Sequence, residues 1–396
     1  MTAKTLDLPK KSWLGLPALA IGLIFVALVT VYGWLFLHAE SEMEVLALLV
    51  AAAIGVVAGT RSGATRNVSV AMNQHSGIMN AAIIGGVLVV IGLLSQEHFS
   101  LLMLTSVLLY LTAALGLNVQ FGYTGMVNFA GAAFFGIGAY TAAVMTMHTG
   151  VPPLLILLCG GVAAALIGFV LVLPVVRTRG HYSAVVTIAF AVLFKTFLEV
   201  NDVLGGPQGL TVGSMSILGW DFNSSPTLFG VEMSFYVNYA LLGTVLAAVA
   251  FMFTRRLERS WLGLTLDSVR LDETASACFG IGVTRAKILA FTFGNVLAGT
   301  AGALYGMMIS FIAPTSFTFS DSLLLVAIVL LGGMGNPWGT AVAAAIVVVL
   351  PEKLQIIQEY RFLLFSVLVI VMLLFRPDGL LPRQIRTYIP GWRKQP

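Results

Sequence analysis

Apolar runs of about 20 residues recur from one end of this chain to the other, separated by short polar breaks. Wound as a helix, a run of that length crosses a hydrocarbon layer of about 30 Å. In lipid every backbone polar group must be satisfied within the protein, which leaves helices and closed barrels, and barrel strands would alternate over segments of roughly ten residues. The runs here do not alternate. The fold class expected is therefore all-α: a polytopic transmembrane helical bundle of about 10–12 spans. The composition agrees, because only 10% of residues are charged and 58% are hydrophobic, with a mean hydropathy of +0.96, against roughly 25% charge in a soluble domain.

The spans are predicted over about 14–37, 45–60, 78–95, 100–118, 130–147, 154–176, 182–199, 234–254, 288–310, 321–334, 338–351 and 361–375. Lys4, Lys10 and Lys11 before the first run resemble a signal peptide in charge order. That run is too long, however, and lacks a small-residue cleavage site, so it is read as a retained span. With this threading Lys4, Lys10, Lys11, Arg61, Arg66, Arg177, Arg179, Arg255, Arg256, Arg259, Arg270, Arg285, Lys287, Arg376, Arg383, Arg386, Arg393 and Lys394 fall on one side. Lys353 and Arg361 fall on the other, and Lys195 lies within a span. Lys and Arg stay preferentially cytoplasmic, so both termini are expected in the cytoplasm. The net charge of +4 is thereby explained by topology, with no nucleic-acid partner implied.

Several function classes are disfavoured. Cys159 and Cys278 form no CxxC pair and the five histidines are scattered singly, so no metal site is indicated. No GxxxxGK[ST] phosphate loop is present, and no nucleophile, base and orienting group converge at recognisable spacing, which argues against an enzyme.

Two segments depart from plain helices. Ala114 to Tyr140 holds six glycines with Asn118 and Asn128 at membrane depth, and LGGMGNPWGT, from Leu331 to Thr340, places four more around Pro337. Broken backbone at depth needs protein or a water-filled cavity beside it, and paired interrupted helices mark substrate paths in transporters. The alternative is close helix packing, which is the reading favoured for Ala298, Gly302 and Gly306. Lys195 and Glu199 share a helix face and are candidates for a gate or path, or for snorkelling to the interface. Outside, the loop from about Val200 to Met233 carries acids without Lys or Arg and is expected to fold as a cap; inside, Arg255 to Lys287 is expected to hold a short helix around Leu266 to Phe279.

Specific residues then look familiar. LGLNVQFGYTGMVNFAGAAFFGIGAYTAA, RGHYSAVVTIAF, GGPQGL, DETASACFGIGVTRAKILAFTF, AGTAGALYG, VLLGGMGNPWG and LFRPDGLLP run in order from about Leu101 to Pro382. Together they resemble the branched-chain amino acid permease family of ABC importers, in its LivM-type branch. The resemblance implies residues 1–99 as an N-terminal membrane extension of about three spans, 100–382 as a permease core with a coupling loop over 255–287, and 383–396 as a basic cytoplasmic tail. It further implies pseudo-twofold related halves, a location in the bacterial inner membrane, a homologous second permease, two cytoplasmic ATPase subunits holding ATP and Mg, and an external solute-binding protein. No cofactor is expected on this chain.

The same resemblance assigns roles. ABC importers dock a short cytoplasmic helix, with a Glu, small residues and a following Gly, into their ATPase; Asp272, Glu273, Ala275, Ser276 and Gly280 match it, with Glu273 able to pair with a basic rim and Gly280 able to end the helix. The translocation-path candidates are Asn118, Gly122, Tyr123, Asn128, Thr187, Lys195 and Glu199. Gly205, Gly206, Pro207 and Gly209 form either an external contact with the binding protein or an ordinary turn. Where the family commonly has a Glu three residues before the basic position of its span, this chain has Val192, which leaves the cargo open. Branched-chain or other hydrophobic amino acids lead. Urea, short amides or another small polar solute on the same machinery, and an ion-coupled secondary transporter, are the alternatives; the only acidic candidates for coupling, Glu199 and Asp321, sit at span ends.

Overall fold

A computed structural model describes residues 18–39, 41, 43–45, 47–48, 50–51, 76–177, 182–217, 219–228, 231–353, 360, 363, 367, 370, 374, 379–381 and 383. The predicted spans 45–60 and 361–375 fall largely outside these. So do Lys4, Lys10, Lys11, Arg61, Arg66, Arg179, Arg361, Arg376, Arg386, Arg393 and Lys394, and the side chain of Arg177.

The helices are α1 (Ala18–His38), α2 (Ser76–Leu93), α3 (His98–Thr124), α4 (Gly131–His148), α5 (Pro153–Arg177), α6 (Tyr182–Val200), α7 (Tyr236–Arg259), α8 (Trp261–Leu271), α9 (Glu273–Cys278), α10 (Val283–Ile309), α11 (Phe319–Gly332) and α12 (Pro337–Lys353). Among the described residues seven helical stretches are long and apolar enough to cross a membrane, the first being Leu19–His38 and the last Pro314–Gly332. The chain is a polytopic all-α membrane protein. Among the described residues the strands form three two-residue ladders: β1 (Leu210–Thr211) with β6 (Phe311–Ile312), β2 (Ser216–Ile217) with β3 (Trp220–Asp221), and β4 (Thr227–Leu228) with β5 (Val231–Glu232).

Two compact units emerge, one of residues 1–104 with 226–244 and the other of 105–225 with 245–396. In the first, α1 packs on α2, and polar contacts tie the segments after them. His38 Nδ1 lies 2.6 Å from Glu97 Oε1, the Ser100 hydroxyl donates to Leu37 O at 3.0 Å, and Ser234 N donates to Ser95 O at 2.8 Å.

In the second unit α10 is the central post. Its 27 residues span about 40 Å and pack against α4 and α5. Lipid supplies no hydrophobic drive between helices, so the contact relies on close backbone approach through small residues. A Cβ on Gly302 would collide with Phe135 O, and one on Gly138 with Gly299 O. The row Ala298, Gly302, Gly306 is thus packing surface: Ala298 is buried and Gly306 lies against Ala139.

Two expectations are corrected. The gap expected between the spans 100–118 and 130–147 is shorter than predicted: α3 continues through Thr124 and only residues 125–130 leave the helix. Asn118, Gly122 and Tyr123 therefore lie within α3, which ends just before the turn at Gly125, whose φ is +69°. The helix expected around Leu266 to Phe279 is two helices, since Asp272 is extended at φ −159° and its carboxylate starts α9 by capping it.

Candidate functional site

The break after α3 is satisfied by side chains. Gln120 Nε2 donates to Phe291 O at 3.0 Å and to Asn295 Oδ1 at 3.2 Å, while Asn128 Nδ2 donates to Gln120 Oε1 at 2.7 Å. Asn128 Oδ1 accepts from Ala130 N at 2.9 Å, Thr187 Oγ1 from Phe129 N at 3.1 Å, and Ser322 Oγ from Ala132 N at 3.1 Å. This is how irregular backbone survives at membrane depth, with the N–H groups of Phe129, Ala130 and Ala132 each given a side-chain partner. Asn118, Asn128 and Thr187 are fully buried in this network and line no surface of the chain. Gln120, Asn295 and Ser322 share it. Sequence reasoning passed over these three because an isolated polar residue in an apolar run carries no local signal of its partner.

The second break, between α11 and α12, meets the end of α3. Asn118 Oδ1 accepts from Gly335 N at 2.7 Å and its amide donates to Thr340 Oγ1 at 3.0 Å. Gly122 touches Gly335 so closely that a Cβ on Gly122 would overlap the Gly335 backbone. Two arginines then reach the freed carbonyl of Gly122, Arg270 Nη1 at 2.6 Å and Arg383 Nη1 at 3.2 Å. Guanidinium groups at a helix C-terminus satisfy orphan carbonyls and complement the dipole. Arg383 also grips Asp267 through two bonds of 2.6 and 2.9 Å and lies 4.1 Å above the Tyr123 ring. Burial holds Arg270 below the ordinary arginine range and nearby Arg383 adds to this, while Asp267 offsets it. For Arg383 burial works in the same downward direction, but the Asp267 bond and surrounding negative charge outweigh it and the net shift is upward. Arg383, placed by composition at the start of a basic tail, is thus anchored to the core.

Helix α8 is seated by the same region. Leu266 and Val269, three apart on one face, bury against Val119, Tyr123, Ala286 and Ala290, worth about 1.5–3 kcal/mol for each side chain. Helix α9 is different: Ser276 is its only buried residue. Its position comes from its ends. Asp272 Oδ1 accepts from Thr274 N at 2.8 Å and Ala275 N at 2.9 Å, and Gly280, at φ +80°, turns the chain so that Ile281 N donates to Ser276 O at 3.0 Å. Glu273 is engaged within the chain: Lys287 Nζ donates to its Oε1 at 2.6 Å from the first turns of α10. The Lys287 side chain is 10% exposed and that of Glu273 55%, so one partner is pinned and the other faces out. Ala275 is exposed, as are the large apolar side chains Leu271 and Phe279 at the two ends of α9.

At the opposite end of α10 the candidates lie around a cleft of about 560 Å³ between α6 and the start of α11. Lys195 Nζ and Glu199 Oε1 are 3.3 Å apart with both side chains 36% exposed. An exposed pair one helical turn apart is worth about 0.3–0.5 kcal/mol, and the Lys-first order is the weaker one. Val192 lines the same cleft, beside the two charges. Asp321 lines it too, but its Oδ2 is held by Thr318 N at 2.9 Å and Thr318 Oγ1 at 2.6 Å in a capping box. The glycines at 205, 206 and 209 all take positive φ and form tight turns before β1 pairs with β6, leaving Pro207 exposed.

Comparison with known proteins follows this geometry. Residues 99–375 match the family described as the permease component of branched-chain amino acid transport systems. The chain is 35% identical over 292 residues to the high-affinity branched-chain amino acid transport system permease protein LivM of Salmonella typhimurium and, equally, of Escherichia coli, covering 70% of this chain and 69% of each relative. It is 25% identical over 294 residues to the permease protein LivH of Salmonella typhimurium, covering 69% of this chain and 91% of that one. No solved structure matches. A multi-pass helical bundle with two mutually packed helix breaks, matched over this length, belongs to the family of permease components of branched-chain amino acid transport systems.

Proposed function

We propose that this chain forms half of the membrane channel of an ATP-driven importer of branched-chain or other hydrophobic amino acids, working by alternating access with a homologous second permease. The family match and the names of its relatives support the cargo class, and similarity to both LivM and LivH supports a paired permease. The observation that carries the mechanism is the state of α9. Apart from the buried Ser276 it is exposed, flanked by the exposed apolar side chains Leu271 and Phe279, yet capped by Asp272 and tied to α10 by Glu273 and Lys287. Such an element yields its surface to a partner and passes displacement into the bundle.

In this reading the partner is a cytoplasmic ATPase, one of two, carrying ATP and Mg. The α8–α9 end and both termini are cytoplasmic, and the cleft between α6 and α11 faces the external side, where a solute-binding protein delivers cargo. Lys195 and Glu199 then sit at the entrance of the path, and the turn from Gly205 to Gly209 stands near it. Asn118, Gly122, Tyr123, Asn128 and Thr187 act as the frame that holds the path open or shut. ATPase closure favours one of two bundle states, and cargo binding biases the same equilibrium reciprocally.

The test is uptake of labelled leucine in membranes carrying the permeases and binding protein, with and without the ATPases. Uptake requires the ATPases, and Glu273→Lys or Gly280→Leu lowers it while membrane insertion is unchanged. Uptake that persists without ATPases, or that a proton uncoupler abolishes with ATP held constant, refutes the proposal and favours an ion-coupled carrier.

A further inference from the structure

The last carbonyls of a helix have no intrahelical donor, and those at the end of α11 find one far along the chain. Leu380 N donates to Leu331 O at 2.8 Å and Leu381 N to Gly332 O at 3.3 Å. Asn336, in the turn before α12, adds a third tie: its amide donates to Leu381 O at 2.9 Å. Gly379 takes a φ of +80° and lies so close to Gly333 that a Cβ on it would overlap the Gly333 backbone. Residues 379–381 therefore run as a strap across the break between α11 and α12.

The strap leads to a side chain that joins two further elements. The stem of Arg383 packs on Gly335, within the break, where a Cβ would meet Arg383 Cδ. Its guanidinium holds Asp267 of α8 through bonds of 2.6 and 2.9 Å and reaches Gly122 O, near the end of α3, at 3.2 Å. The Arg383 side chain is 10% exposed, so opening its bond to Asp267 would leave a buried charge. The remaining seat of α8, Leu266 and Val269 on Val119, Tyr123, Ala286 and Ala290, is apolar, and packed helices slide over such contacts by small amounts. A bidentate bond is directional and does not slide. A shift of α8 thus draws on Arg383, and Arg383 sits on the strap that holds the ends of α11 and α12.

We infer that Arg383 is a positioning residue of the transport cycle: through it, displacement of α8 and rearrangement of the α11–α12 break become one event. The inference rests on the importer reading and goes beyond it, because it gives a residue outside α9 a part in coupling. It also gives the strap a task that capping alone would not require, which is to carry the pull from α8 to the break.

The experiment uses the complete transporter in proteoliposomes, with permeases, ATPases and binding protein, and measures leucine imported and ATP hydrolysed in the same samples. Arg383→Gln lowers the leucine imported per ATP about tenfold, within the range of coupling free energies between sites. The reciprocal exchange Asp267→Arg with Arg383→Asp re-forms an ion pair and recovers part of that ratio. A residue that only stabilises the fold lowers uptake and hydrolysis together and leaves their ratio unchanged. That result overturns the inference, and so does a reciprocal exchange no better coupled than Arg383→Gln. Should these variants fail to assemble, Asn336→Asp loosens the strap without touching buried charge. Its carboxylate keeps the acceptor for Trp338 N at the start of α12 but cannot donate to Leu381 O. The ratio then falls about threefold, as loss of one neutral hydrogen bond predicts, and a wild-type ratio in that variant overturns the inference. A wild-type complex that imports no amino acid refutes the importer reading itself, and this inference with it.

Discussion

The two ends of α10 handle charge in opposite ways. At the α8–α9 end Arg383 and Asp267 are 10% and 22% exposed, doubly bonded to each other, and joined by Arg270 at the carbonyl of Gly122. At the other end Lys195 and Glu199 are both 36% exposed and form a weaker pair within one helix. The first arrangement links segments 116 residues apart, and opening it would leave buried charge; the second links neighbours and opens at little expense. One end is closed by charges that hold each other and the backbone. The other carries a pair that solvent already reaches.

Breaking the rigid end should have the largest effect. Asp267→Ala leaves Arg270 and Arg383 facing each other at Gly122 O, and the expected loss is about 3 kcal/mol or more of stability, read as a lowered unfolding temperature of the purified complex. The reciprocal exchange Asp267→Arg with Arg383→Asp recovers part of that loss, which a purely steric effect would not allow. Next is Gly122→Ala, whose Cβ meets backbone that cannot rotate away, for about 1–3 kcal/mol by the same assay. Smaller again is Asp272→Ala, which removes the α9 cap for about 1 kcal/mol. Its sharper signature is ATP hydrolysis by the assembled complex that no longer responds to loaded binding protein. Smallest is Lys195→Ala, expected to change stability by less than about 0.5 kcal/mol. A large stability loss in that variant would erase the contrast between the ends.

Much of the architecture was legible without coordinates, and for a local reason. Whether 20 consecutive residues are apolar depends on those residues alone, so α1, α5, α6, α7 and α10 lie close to their predicted spans. The end of α9 was legible too, since a Gly after a helix acts within a few residues, whereas the start at Asp272 was read through as continuous helix. The break after α3 was placed over too long a stretch, because the sequence marks where a break is tolerated and not how far the helix resists it. Glu273 was expected to seek a basic group on another protein; Lys287, fourteen residues on, stands close enough to take it.

Hydropathy and charge placement therefore determined that this chain is a multi-pass helical bundle, and the ordered motifs determined its family. Only the tertiary structure decided that Gln120 supports the break through Asn128 and Asn295, that Arg383 closes onto Asp267, and that Val192 shares a cleft with Lys195 and Glu199. Spans are specified by short-range partition into lipid, whereas polar partners within it are chosen by which helices meet. That choice belongs to packing across the whole chain, where a buried donor must find an acceptor wherever the fold supplies one.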